Sequence, residues 1–161
     1  MATSSSGIPK EENNYIRIFY LLHSVAPSVV RKIFDREFDP SRLKTKLSTN
    51  WFNVISSLFN KRVIHQKQWD LLYPGTGNPS STTFDLTLMI ALIRNLTPIR
   101  ISDGVSLSSD VTVGADLSRL KYYRNQVAHI NSATLTDRQF QEWWNDITQA
   151  ILRLGGNRYQ M

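Results

Sequence analysis

Apolar positions along this chain recur at intervals of three and four, the period of an α-helix with one buried face. Tyr15, Ile18, Phe19, Leu22 and Val25, then Val29, Val30, Ile33 and Phe34, carry that spacing. Pro27 interrupts it. Proline lacks an amide hydrogen and its ring collides with the preceding turn, so the run predicts either two helices or one sharply kinked one. Asp39-Pro40 ends the second of them. A short basic helix over 41–47 leads to Trp51, Phe52, Ile55, Leu58 and Phe59, again at helical spacing and closed by Asn60. His65 to Tyr73 puts Trp69, Leu72 and Tyr73 on one face before the breaker pair Pro74-Gly75. Gly75-x-Gly77 reads as turn punctuation, because a phosphate-binding P-loop needs a preceding strand and a Lys-Ser/Thr pair.

In the second half, Ser81-Thr82-Thr83-Phe84-Asp85 has the hydroxyl-to-carboxylate spacing of a capping box. It opens Leu86, Met89, Ile90, Ile93 and Leu96, a buried central helix that Thr97-Pro98 terminates. A polar stretch to about Thr112 reads as an irregular loop. One helix follows over 114–130. Thr136-x-x-Gln139 is a second capping box and starts another, with Phe140, Trp143, Trp144, Ile147, Ile151 and Leu154 on its apolar face and Gly155-Gly156 at its end. No segment alternates as a strand does, and no period repeats. The expected fold is all-α, a bundle of five to seven helices with two long ones at the C-terminal end. Residues 1–10 are expected to form a flexible tail, 11–156 a single helical domain, and 157–161 a tail or the start of a linker.

Composition narrows the chemistry. The 161 residues include no cysteine, which excludes thiolate zinc sites, redox motifs, cysteine nucleophiles and a disulfide scaffold. The first ten residues hold no apolar stretch ahead of a small-residue cleavage site, and the longest apolar run, 86–93, falls short of the roughly 18 residues of a membrane span. A soluble, cytoplasmic protein with no membrane partner is expected. The net charge of +6 is uneven. Residues 1–80 carry 11 basic and 6 acidic side chains, residues 81–161 carry 8 and 7. Such a surface suits a polyanion, although it also serves plain solubility.

The helix over 114–130 holds the most informative side chains. At about 100° per residue, with Leu117 at zero, Leu120, Tyr123 and Val127 fall at about 300°, 240° and 280° and define the core side. Arg124 falls near 340°, at the edge of that face, where a guanidinium needs a carboxylate, a phosphate or a partner chain. Asn125 and His129 are four apart, so a hydrogen bond between their side chains is expected to fix one imidazole tautomer. His129 lies in the last turn, where the dipole suits a histidine that exchanges protons. Arg124 and His129 are about 140° and 7.5 Å of rise apart, so a second copy of the chain is expected to complete the site. Lys121, Tyr122 and Arg119 flank it as candidate contacts to a polyanion such as RNA, with Asp85 and Asp116 as candidate acidic partners for Arg124. Asp85 also has the alternative of a purely capping role. His23 and His65 have no metal-ligand or triad neighbours and read as structural. Trp143 and Trp144 read as core or dimer seam. Arg42, Lys44, Lys46, Lys61, Arg62 and Lys67, interleaved with Trp51 and Phe52, read either as a solvated face or as a backbone-tracking groove.

The segment 116–129, with Arg124-Asn125-Gln126-Val127-Ala128-His129 at its end, resembles the Arg-Asn-x-x-x-His signature of HEPN domains, the helical superfamily named for nucleotide binding in higher eukaryotes and prokaryotes. Trp69-Asp70-Leu71-Leu72-Tyr73-Pro74, Thr83-Phe84-Asp85-Leu86-Thr87-Leu88, Arg94-Asn95-Leu96 and the closing Trp-rich helix are similar to the HEPN branch of the DAZ-interacting zinc-finger (RING-type) ubiquitin ligases. The match covers roughly residues 40–155. The resemblance implies a HEPN-like bundle around two long antiparallel helices, usually dimeric, with Arg and His from both copies facing one cleft. It implies one of two functions. The first is a metal-independent endoribonuclease that needs no cofactor and leaves a 2′,3′-cyclic phosphate, with Arg124, Asn125 and His129 as its catalytic residues. The second is a non-catalytic oligomerisation or interaction module of a larger ubiquitin-ligase-like or innate-immune signalling protein. The implied partners are a second copy of the chain, RNA, and the other domains or signalling proteins of such a longer chain.

Overall fold

The computed structural model describes residues 7–105 and 107–156. Of the tails expected over 1–10 and 157–161, residues 1–6 and 157–161 lie outside the described residues. Helices α1 (Lys10–Tyr20), α2 (Ala26–Glu37), α3 (Leu43–Thr49), α4 (Ser56–Asn60), α5 (Gln66–Leu72), α6 (Leu86–Leu96), α7 (Val113–Ala128) and α8 (Asp137–Ile151) account for most of them, and no strand occurs among the described residues. The fold is all-α, as the periodicity predicts. The chain packs as two compact units, one of residues up to Val29 with those from Ile101 on, the other Val30–Arg100.

Pro27 neither separates two helices nor ends one. A widened π turn, Leu21–Val25, joins α1 to α2 immediately before it, and Leu21 and Ala26 keep right-handed helical angles. Shifting the hydrogen bonds outward by one residue makes room for the proline ring and removes the demand for its missing amide hydrogen. Similar turns lead into α4 (Trp51–Ile55) and out of α8 (Leu152–Gly156).

In the first unit, α7 and α8 run antiparallel: Asp116 meets Arg153, and Tyr123 meets Asp146. Helix α1 runs parallel to α8. Buried Asn14 donates to the Leu135 carbonyl (3.1 Å) and the Asp137 carboxylate (2.9 Å), and Arg17 lies 4.7 Å over Phe140 and 4.8 Å over Trp144. Thr136 and Gln139 form the capping box that opens α8.

The second unit is built around α6, whose Leu86, Leu88, Met89, Ile90, Leu92 and Ile93 are all buried. Its start differs from the expected box. Asp85 itself caps α6, accepting the Leu88 amide at 2.8 Å, while Ser80 caps a separate short turn, Ser81–Thr83. The Ser81 hydroxyl donates instead to Asp35 (2.6 Å), and Arg31 holds the Ser81 and Phe84 carbonyls at 2.8 and 2.7 Å. His65 is the N-cap of α5 in a box with Gln68. No helix among the described residues is long and apolar enough to cross a membrane.

Candidate functional site

Helix α7 changes character along its length. Thr112 caps its start by accepting the Ala115 amide, and every residue from Gly114 to Leu120 is buried. Lys121, Tyr122, Arg124, Asn125 and Gln126 are half-buried; Ala128 and His129 are exposed. The expected site residues therefore fall in two groups.

The buried group is a charge cluster. Asp116 is 1% exposed and Arg119 4%. Arg119 Nη1 donates to Asp116 Oδ1 at 2.6 Å and Nη2 to the Leu107 carbonyl at 2.7 Å. Arg153 grips the same carboxylate with two bonds, Nε to Oδ2 at 2.9 Å and Nη2 to Oδ1 at 2.8 Å. That grip raises the Arg153 pKa further above its ordinary value. Arg119, expected to face RNA, is thus committed inside the fold, and Asp116 serves Arg119 and Arg153 rather than Arg124. Asp85 caps α6 and accepts from Gln68. Lys121 is ion-paired with Asp103 at 3.0 Å, and the Tyr122 ring meets Tyr123 edge-on at 5.2 Å. Beneath them, buried Tyr123 donates its hydroxyl to Asp146, and burial followed by that carboxylate pushes its pKa well up. Sequence reasoning missed Arg153 and Asp146. A signal for the cluster did exist. On the same wheel Asp116 sits near 260°, inside the core sector, where a carboxylate has to find a cation.

The outer group is Arg124, Asn125 and His129. His129 is the C-cap of α7, its backbone turned out of the helix at φ −101°, ψ 2°. Its Nδ1 lies 2.6 Å from the Asn125 backbone carbonyl. The expected partner was the Asn125 side chain, but a helix end has free carbonyls that compete for any nearby donor. The carbonyl can only accept, so Nδ1 carries a hydrogen and Nε2 is the ring's remaining basic position. Arg124 is half-buried and makes no hydrogen bond or ion pair with any described residue. An unpaired guanidinium and an exposed histidine with its Nε2 uncommitted, five residues apart in the chain, are the kinds of group that hold a phosphodiester and move a proton. No three His, Asp or Glu side chains gather as a metal site among the described residues.

A family model described as DZIP3/hRUL138-like HEPN matches residues 40–161. The human E3 ubiquitin-protein ligase DZIP3 is 34% identical over 154 residues, covering 88% of this chain and 13% of its own length. The mouse protein of the same name is 34% identical over 160 residues, with 92% and 13% covered. The chain thus spans about an eighth of the curated relatives it matches. No solved structure matches it. A match over most of the chain, with the Arg124 to His129 motif inside it on an all-helical scaffold, means that the chain belongs to the DZIP3/hRUL138-like HEPN family.

Proposed function

We propose that the chain is an RNA-binding HEPN domain that cleaves RNA without a metal, using Arg124 and His129 at a cleft completed by a second copy. The observation that carries this reading is the pinned ring of His129. With Nδ1 held by the Asn125 carbonyl, Nε2 of the exposed ring is left to act as the base. In the reaction Nε2 takes the ribose 2′-OH proton, the 2′ oxygen attacks phosphorus, and the bond to the 5′ oxygen breaks. A histidine from the second copy returns a proton to that oxygen, so the products are a 2′,3′-cyclic phosphate and a 5′-hydroxyl. Arg124 neutralises the charge that builds on the phosphate. Asn125 positions the histidine, while Tyr122 and Lys121 flank the substrate.

The second reading is a module that dimerises or binds without cleaving. It is favoured by the relatives' printed name, a ubiquitin ligase of which this domain spans an eighth. One experiment separates the two. Wild type, Arg124→Ala and His129→Ala are incubated with labelled single-stranded RNA in excess EDTA, with folding followed by circular dichroism. The enzyme reading expects a rate loss of about 10²- to 10⁴-fold for folded His129→Ala, with Arg124→Ala losing affinity as well as rate. Undiminished cleavage by folded His129→Ala removes the assignment. Binding without cleavage by wild type supports the module.

A further inference from the structure

Residues 41–69 hold Arg42, Lys44, Lys46, Lys61, Arg62 and Lys67 and not one Asp or Glu. All six cations are exposed, and Lys44, Lys46, Lys61, Arg62 and Lys67 form no ion pair with any described residue. Along the chain, Trp51, Phe52 and Trp69 are interleaved with them, and their rings form a series. Phe52 and Trp51 have centroids 6.0 Å apart, Trp51 and Trp69 6.3 Å, Trp69 and Tyr73 4.8 Å. The outer end is open, with Phe52 76% exposed and Trp51 44%. The inner end reaches a cavity of about 290 Å³ walled by Tyr73, Lys44, Ser48, Gly75 and Gly77, and the Tyr73 hydroxyl donates to the Leu47 carbonyl to hold that wall.

Solubility accounts for the cations but not for two large exposed rings in the same stretch of chain. Exposed rings in a stretch of chain rich in unpaired cations are the elements of a single-strand surface, because any base can stack on a ring while its phosphate meets a cation. Four of the six cations are lysines, point charges on flexible stems that follow a backbone without fixed register. An acidic peptide would be better served by arginine forks matched to carboxylates.

We propose that this face of Val30–Arg100 binds single-stranded RNA, with bases on Phe52 and Trp51 and phosphates along the lysines. It uses no residue of α7. Only the choice of RNA over DNA rests on the reading above; the surface itself requires no cleavage. The test is fluorescence anisotropy with a labelled uridine-rich RNA of about 12 nucleotides, carried out on the His129→Ala chain so that the RNA stays intact whether or not the wild type cleaves it. In that background Phe52→Ala should weaken binding about 10-fold. Lys61→Ala with Lys67→Ala should make the dependence of log K on log salt shallower by about 1.4. Phe52 is too exposed for its loss to unfold the chain. Unchanged affinity and salt slope in these variants overturn the proposal while leaving the His129 chemistry as it stands. Tighter binding of DNA of the same sequence overturns the choice of RNA. Polyglutamate competing as well as RNA reassigns the face to an acidic protein partner.

Discussion

Asp116→Asn tests the cluster that ties α7 to α8. The substitution keeps the shape and removes one charge. It cannot be accommodated by turning the amide, because Arg153 donates to both carboxylate oxygens and Arg119 to one of them. Either orientation sets an NH₂ group against a guanidinium N–H. With the amide oxygen at the Oδ1 position, Arg119, 4% exposed, keeps a neutral acceptor there and the Leu107 carbonyl, but its buried positive charge has lost its counter-ion. Removing one member of a buried pair costs about 3–5 kcal/mol. Arg153 is one quarter exposed and can rehydrate, so its share is small. The expected loss is therefore about 3 kcal/mol, a large part of the roughly 5–15 kcal/mol that holds a domain together. Urea unfolding followed by tryptophan fluorescence, with circular dichroism in parallel, measures it. Asp116→Asn combined with Arg119→Met should lose less than the two singles summed, since no buried charge is then stranded. A loss under about 1 kcal/mol for Asp116→Asn would refute the argument that the cluster is desolvated and mutually dependent.

Gly155→Ala places a Cβ 2.8 Å from a γ-methyl of Val29, a β-branched side chain with little freedom to turn away; it should cost about 1–3 kcal/mol, and Val29→Ala should recover part of that in the double variant when both are melted side by side. Asp137 is held below the usual carboxylate range by the Asn14 side chain first and by Lys10 next. Its folded pKa lies below its unfolded one, so its contribution is complete above about pH 4 and fades as pH falls through the folded value. Asp137→Asn should accordingly flatten the acid limb of a stability curve measured by urea midpoints between neutral and acid pH, and an unaltered acid limb would contradict this role for the carboxylate.

Helix positions and the all-α class could be read from the chain because periodicity is a local property. The Thr136 to Gln139 box is likewise local and forms as its spacing implies. Other features were hidden by competition or distance. Thr82 and Asp85 share the three-residue spacing of a box, yet Asp85 is itself the cap, and the Ser81 hydroxyl turns to Asp35. Arg153 lies 37 residues from Asp116, and nothing in its own neighbourhood shows which carboxylate it meets. The wheel angle of Asp116 showed that something must meet it. The spacing of Asn125 and His129 points to a bond between side chains, but the one that fixes the imidazole comes from a backbone carbonyl, which carries no side-chain signature.

The widened turn before Pro27 bears on how relatives of this chain are aligned. Ile18, Leu22, Ala26, Val30 and Phe34 are buried at strict intervals of four. In an ideal α-helix each such step overshoots a full turn by about 40°, a drift that one roomier turn partly absorbs. A relative lacking one residue between Leu21 and Val25 would show its buried positions at a mixture of threes and fours, as an ordinary amphipathic helix does. A one-residue gap there therefore records the conversion of the widened turn to an ordinary one with the buried face kept in phase, and not the trimming of a loop.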